Sequence, residues 1–285
     1  MTAAPLIVAI LTCHSRRELT LRALRSWFAQ ADGTAELRAV LVDDGSTDGT
    51  GREVRRQFPD VRVLDGDGTL FWAAGMALAE RHARRLDPDA LVWLNDDVVL
   101  AQDCLRELRR VSALRRPAAV VSGALADPDT HALSYGGFAP SRWHPLRGRV
   151  VAPTGQPRDI AAAHGNLLYV PRAALRRVAI DGKFQHSYAD FDYTLRLTAL
   201  GHPVVLTPRP VGWCAVTTTS RSRPDPALPL AGRLRALNSP RGLPLRSQAR
   251  FLRRHGGPLW PVQVLMPYAK EVLRGRGPRR GSTTA

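Results

Sequence analysis

The chain has 285 residues, 44% of them hydrophobic, with 41 Lys and Arg against 25 Asp and Glu for a formal charge of +16. That length holds one large domain, or one domain with an appendage, and the hydrophobic share is ordinary for a globular protein. Cys13, Cys104 and Cys214 are odd in number and lack CxxC spacing, which argues against a disulfide framework or a zinc knuckle, and no apolar run approaches the ~18 residues of a membrane span, so a cytoplasmic protein is expected.

The basic excess suggests a nucleic acid, an anionic lipid or a phosphorylated substrate as partner, the alternative being a solvated Arg-rich surface. It is uneven: from Val216 onward the only acids are Asp225 and Glu271.

In chain order, strand-like LIVAIL (6–11) is followed by Leu19, Ala23, Leu24, Trp27 and Phe28 at helical spacing, then by RAVLV (38–42). The alternation continues through VRVL (61–64), a helix across 71–86, ALVWL (90–94), a helix around 102–114, and AAVVSGAL (118–125). Such a βαβ series predicts a mostly parallel sheet with helices on both faces. Beyond 126 a Gly- and Pro-rich stretch reads as loops, suited to substrate-specific contacts. GNLLYV (165–170) then reads as a strand, Pro171 as the first turn of a helix, 189–200 as a helix stopped by Gly201, and PVVLTP (203–208) as a late strand. Residues 1–216 are expected to form the α/β domain and 217–285 a Pro- and Arg-rich linker with a basic amphipathic extension. The extension has two readings: it lies in a membrane interface, or its apolar residues pack back on the domain.

Three acidic clusters stand out. In WLNDDV two acids follow an apolar strand, where a buried carboxylate needs a partner or a cation. If the strand ends at Leu94, Asp96 and Asp97 lie at its carboxyl end and can act as hard oxygen ligands for Mg²⁺ or Mn²⁺ beside a diphosphate; the alternative is an acidic turn capping the helix that follows. VLVDDGSTDGT (40–50) places Asp43 and Asp44 at another strand end, able to bind ribose or base, or to form the turn and cap the next helix. In YADFDYTLRLTALG (188–201), Asp190 and Asp192 open a helix with apolar positions Tyr193, Leu195, Leu197 and Leu200; capping explains one acid, and a general base toward a sugar hydroxyl would explain the other. Phe71 and Trp72 read as core residues or a ligand platform, and GDGTLFWAAGM lacks the third glycine of a dinucleotide fingerprint. His164 and His186 read as polar or partly buried loop residues, and no HExxH, GxSxG or P-loop occurs.

Taken together and in this order, VAILTCHSRREL, VLVDDGSTDGT, WLNDDV and YADFDYTLRLTALG resemble the family 2 glycosyltransferases of GT-A fold, over roughly residues 6–215. DGTLFWAAGMALA followed by WLNDDV is similar to the rhamnosyltransferase-like branch. The resemblance implies an inverting transfer from a nucleotide-sugar donor to an acceptor hydroxyl on a glycan, a lipid-linked sugar or a small molecule, with Mg²⁺ or Mn²⁺. By motif position it implies Thr12, His14 and Asp43 at the nucleotide, Asp96 at the ribose or diphosphate, Asp97 on the metal and Asp190 as base, with Asp192 supporting it. Asn95 and Ala189 stand where the family commonly has acids, and no late histidine is found near Trp213. A sugar nucleotidyltransferase would open on a Gly-rich loop that TCHSRREL is not. A nucleic-acid module would explain the charge but not the acids at strand ends, and a non-catalytic nucleotide-sugar binder stays open.

Overall fold

The computed structural model describes residues 4–184, 187–216, 224–240 and 242–274. The strands are β1 (Leu6–Cys13), β2 (Glu36–Asp43), β3 (Val61–Asp65), β4 (Ala90–Leu94), β5 (Val99–Leu100), β6 (Val120–Ala126), β7 (Leu133–Tyr135), β8 (Gly137–Ser141), β9 (His144–Val151), β10 (Arg158–Asp159), β11 (Ala162–Ala163), β12 (Leu167–Pro171) and β13 (Val204–Trp213). The helices are α1 (Arg17–Phe28), α2 (Thr50–Gln57), α3 (Phe71–Arg84), α4 (Cys104–Ala113), α5 (Arg172–Leu175), α6 (Ala189–Ala199), α7 (Leu230–Leu237), α8 (Leu245–His255) and α9 (Trp260–Leu273).

The large sheet has the order β10-β13-β6-β12-β4-β1-β2-β3. β1 to β4, β6 and β13 run one way and β12 runs against its neighbours β4 and β6, so the sheet is mostly parallel, as the βαβ pattern predicts. Its central strands are near-continuous apolar runs because both faces are covered. The strand period of two sends Ile7, Ala9 and Leu11 of β1 to one face, against Leu21, Leu24 and Trp27 of α1, Val54 of α2 and Leu105 and Leu108 of α4. Val8 and Ile10 face the other way, against Ala73 and Met76 of α3, Tyr193 and Leu197 of α6, and Phe251 and Leu252 of α8.

Two regions differ from the sequence reading. The stretch after 126 holds strands, with β11-β8-β9 forming a second, three-stranded sheet. Alternation is illegible there because the strands are short and Gly- or Pro-interrupted. On α6, Tyr193 and Leu197 are buried, whereas Leu200 is 48% exposed because the helix has ended and the chain reverses through Gly201 at φ +70°. The expected boundary at 217 falls in 217–223, outside the described residues. Beyond it α8 packs onto the domain, with Phe251 and Leu252 in the same core cluster as Tyr188 and Ala189. No helix among the described residues is long and apolar enough to cross a membrane.

α6 and α8 are joined by charge as well as by packing. The Asp192 carboxylate is fully buried and accepts hydrogen bonds from Arg196 Nε (2.8 Å), Arg254 Nη1 (2.8 Å) and, at 3.0 Å, His255 Nε2. Burial acts to raise its pKa, but the His255 and Arg254 hydrogen bonds and the charges of Arg196 and Arg254 outweigh this and hold it below the ordinary carboxylate value. A depressed folded pKa gives stability that is complete above the unfolded value, about 4, and is lost as pH falls below it. Asp192→Asn leaves two arginines facing a neutral group and should cost about 3–5 kcal/mol in urea denaturation at neutral pH. Its stability should also fall less steeply than wild type below pH ~4.

Candidate active site

β4 ends at Leu94 and the chain turns at once, the Asn95 amide donating to the Asn166 carbonyl (2.9 Å) and the Val98 amide to the Asn95 carbonyl (3.2 Å). Asp96 and Asp97 therefore stand at the carboxyl end of a central strand, where open α/β sheets bind ligands. They do not cap the helix that follows: α4 begins at Cys104 with Asp103 before it, and both acids turn instead to Arg16 in the β1–α1 loop. Arg16 Nη1 donates to Asp96 Oδ1 and Nη2 to Asp97 Oδ2, each at 2.8 Å. Burial pushes the Asp96 pKa up to about 7; the Arg16 charge opposes this and the Asp97 charge adds to it. A carboxyl so placed gains from further positive charge.

The other face of Asp97 meets Cys214, whose thiol lies 3.6 Å from Asp97 Oδ1, and Asn166 Nδ2 donates toward the same sulfur at 3.8 Å. Burial, then the Asp97 charge, raises the Cys214 pKa to about 12, which keeps it a neutral thiol. No group of three or more His, Cys, Asp or Glu side chains among the described residues forms a metal cage. Two adjacent carboxylates nevertheless suit Mg²⁺ or Mn²⁺, which are commonly held by one or two carboxylates with substrate phosphates completing the shell.

The first acidic turn sits beside this pair. Asp43 Oδ1 accepts the Ser46 amide at 3.0 Å, and its Oδ2 lies so close to α2 that a Cβ on Gly51 would come within 2.3 Å of it. Cys13 lies between the two clusters: burial raises its pKa, and the charges of Asp43 and Asp96 raise it further. His14 is exposed, with Nδ1 2.6 Å from the Asp44 carbonyl. Thr12 packs against α3, where a Cβ on Gly75 would meet its hydroxyl at 2.4 Å. Asp44 does not cap the next helix, as its place in the turn suggested. Its carboxylate accepts the amides of Gly68 (2.9 Å), Leu70 (3.3 Å) and Phe71 (2.9 Å), the start of α3 rather than α2, while Asp48 accepts the Thr50 amide at 3.0 Å. Phe71 is held there at φ +53°, an uncommon backbone for a bulky residue, with its side chain 39% exposed.

Trp72 joins the acid pair to Asp190. Its indole Nε1 donates to Asn95 Oδ1 at 2.8 Å, so the first polar residue of the motif is a hook for α3. The far edge of the ring lies against Gly165, where a Cβ would come within 2.5 Å of the indole and 3.1 Å of the Asp190 Cβ. The Gly165 amide donates to Asp190 Oδ2 at 3.0 Å and so orients that carboxylate. Gly165 and Asn166 thus touch both clusters. Asp192 turns the other way, into the α6–α8 contact. His164 is half-buried, edge-on to Tyr135 and Phe191, and His186 lies outside the described residues.

Arg16, Trp72 as a bridge, and the Gly165-Asn166 corner were missed from sequence. Arg16 is separated from the acids by 80 and 81 residues, and GN before LLYV reads as the mouth of a strand. The one available signal was Asn95, which breaks an apolar run without supplying a charge.

No curated protein matches the chain. Among solved structures, mannosyltransferase PcManGT from Pyrobaculum calidifontis, in complex with GDP-Man and Mn²⁺, superposes with a TM-score of 0.57 at 18% identity, covering 96% of this chain and 77% of its own. Residues 1–349 of TarS from S. aureus superpose with a TM-score of 0.54 at 13% identity, covering 93% and 80%. At these identities the likeness is one of fold. A family model described as Glycosyl transferase family 2 matches residues 8–155. That match spans more than half of the 285 residues, from β1 through the acid pair to the end of the β8–β9 hairpin, and the chain therefore belongs to glycosyl transferase family 2, with the GT-A fold.

Proposed function

We propose that the protein is an inverting, metal-dependent glycosyltransferase that moves a hexosyl or deoxyhexosyl group from a nucleoside-diphosphate sugar to an acceptor hydroxyl. The observation that carries this reading is the bridge from Asn95-Asp96-Asp97 through Trp72 and Gly165 to Asp190. Through these contacts the carboxylates of Asp96 and Asp97, spanned by Arg16, are linked to the separately oriented carboxylate of Asp190, which supports a metal role for the first two and a base role for the third. The Mn²⁺ of the PcManGT complex supports the choice of Mg²⁺ or Mn²⁺.

In this reading Asp97 holds the metal, and Asp96 faces the ribose or diphosphate. Bound there, the metal supplies positive charge to the diphosphate as it leaves. Arg16, which already spans both acids, adds a planar cation suited to phosphate oxygens. Thr12, His14 and Asp43 line the nucleotide end. The Gly165 and Phe191 amides, one on each carboxylate oxygen, keep Asp190 fixed while a remaining lone pair of that carboxylate takes the acceptor hydroxyl proton, so that the oxygen attacks the anomeric carbon opposite the leaving diphosphate and inverts it. Asp192 supports that geometry by fixing α6. DGTLFWAAGMALA and WLNDDV favour a rhamnosyltransferase-like donor preference and a role in cell-surface polysaccharide or glycoconjugate synthesis.

The test is a donor panel of dTDP-, UDP- and GDP-sugars with Mg²⁺ or Mn²⁺, scored by donor hydrolysis and thermal shift. One donor should be bound and turned over, and excess EDTA or Asp97→Ala should remove most of the turnover; full activity in EDTA would rule out the metal role. Binding without turnover on any donor and acceptor would favour a non-catalytic binder. Asp190→Asn keeps shape while removing proton acceptance, so transfer should fall about 10²-fold or more with donor affinity nearly unchanged. Near-normal transfer by that variant would assign the base elsewhere.

A further inference from the structure

α9 is built inside out for a helix in water. Its inward face carries Gln263 and Glu271, each only 6% exposed, with Val264 between them. Its outward face carries Val262, Leu265, Met266, Val272 and Leu273, which with the exposed Ala269 fall at steps of three and four and form one stripe; Leu265 is 59% exposed and Leu273 84%. Leu259 extends the stripe at one end. Trp143, at the tip of the β8–β9 hairpin and 71% exposed, is tied to α9 by Gln263 Nε2 donating to its carbonyl at 2.8 Å, and it lines one cavity with Leu259. Contiguous apolar surface of this kind marks an interaction site.

Charge identifies the occupant. Between Leu230 and Arg274 the only acid is Glu271, and it is buried beside Arg233 and Arg274. Arg235, Arg246, Arg253 and Lys270 are exposed, and the sequence continues with Arg276, Arg279 and Arg280. An apolar stripe accompanied by an exposed Trp, in a segment whose exposed charges are all cations, complements an anionic lipid surface. A second copy would set the same cations against themselves. At 14 residues α9 is too short to span a bilayer and suits lying in its interface.

We infer that α9, with Leu259 and Trp143, docks the enzyme in the interface of an anionic membrane. The docked helix would be held in fixed relation to Asp190, because α8 packs on α9 and grips α6 through Arg254 and Asp192. If Asp190 is the base, this presents the site to acceptors carried on lipid.

Co-sedimentation of the full-length protein with vesicles tests the docking without donor or acceptor, and so independently of the sugar-transfer reading. Vesicles of phosphatidylcholine mixed with phosphatidylglycerol should retain the protein at low salt and release it as salt rises, while phosphatidylcholine alone should not. Leu265→Glu with Val272→Glu, both at exposed positions, should leave the thermal midpoint unchanged and weaken retention by about tenfold, or about 1.4 kcal/mol. Failure of the wild type to bind anionic vesicles, or undiminished binding by the double variant, would overturn the inference. So would sedimentation velocity showing a wild-type dimer that the same substitutions split, since the stripe would then belong to a second copy.

Discussion

Two carboxylates placed side by side at the end of a buried strand must be neutralised, and much of the site is arranged around that requirement. Asp96 is 5% exposed and Asp97 adjoins it, so neither is fully screened by water. Arg16 answers both with one guanidinium, and its planar fork suits this better than an ammonium. The β1–α1 loop is therefore drawn across the strand end, Cys13 is left between Asp43 and Asp96, and the Asp43-Asp44 turn and the acid pair become neighbours. A buried charge pair of this kind adds little net stability. Its value is positional: it keeps two acids together at a site that accepts more positive charge.

The sequence made the sheet legible because its central strands are covered on both faces and read as unbroken apolar runs. ALVWL ends where Asn95 begins, and β1, β2 and β4 follow their apolar segments to within a few residues. The β7–β11 region was not legible, because β7, β10 and β11 are only two or three residues long and the longer β8 and β9 are interrupted by Pro140, Pro145 and Gly148, so none shows a clear alternation. At the site, residue types were readable and partners were not. Asp96 and Asp97 stand out as unpaired acids, but Arg16 comes from 80 residues away, and nothing local marks it from the other arginines. Asp44 looked like a local cap and instead gathers amides from 24 to 27 residues ahead.

The C-terminal helices extend the same logic outward. Asp192 shares a motif with Asp190, yet the helix period sends the two carboxylates to different places, one toward Gly165 and the other into Arg196, Arg254 and His255. One turn of α6 therefore contacts both the candidate site and α8, on which the helix with the outward apolar stripe packs. A change in how α8 sits would be felt at Asp190 through a few rigid contacts.

The central claim is that the acid pair works with a divalent ion and a nucleoside diphosphate together. Electron paramagnetic resonance of Mn²⁺ titrated into the protein, alone and with dTDP, UDP or GDP, tests it most directly. The account predicts weak Mn²⁺ binding by the protein alone, where Arg16 already spans both acids. At least one nucleoside diphosphate should bring a clear gain in bound Mn²⁺, and Asp97→Ala should remove it. Nucleotide binding of equal strength in excess EDTA, or no gain in bound Mn²⁺ with any of the three, would contradict it.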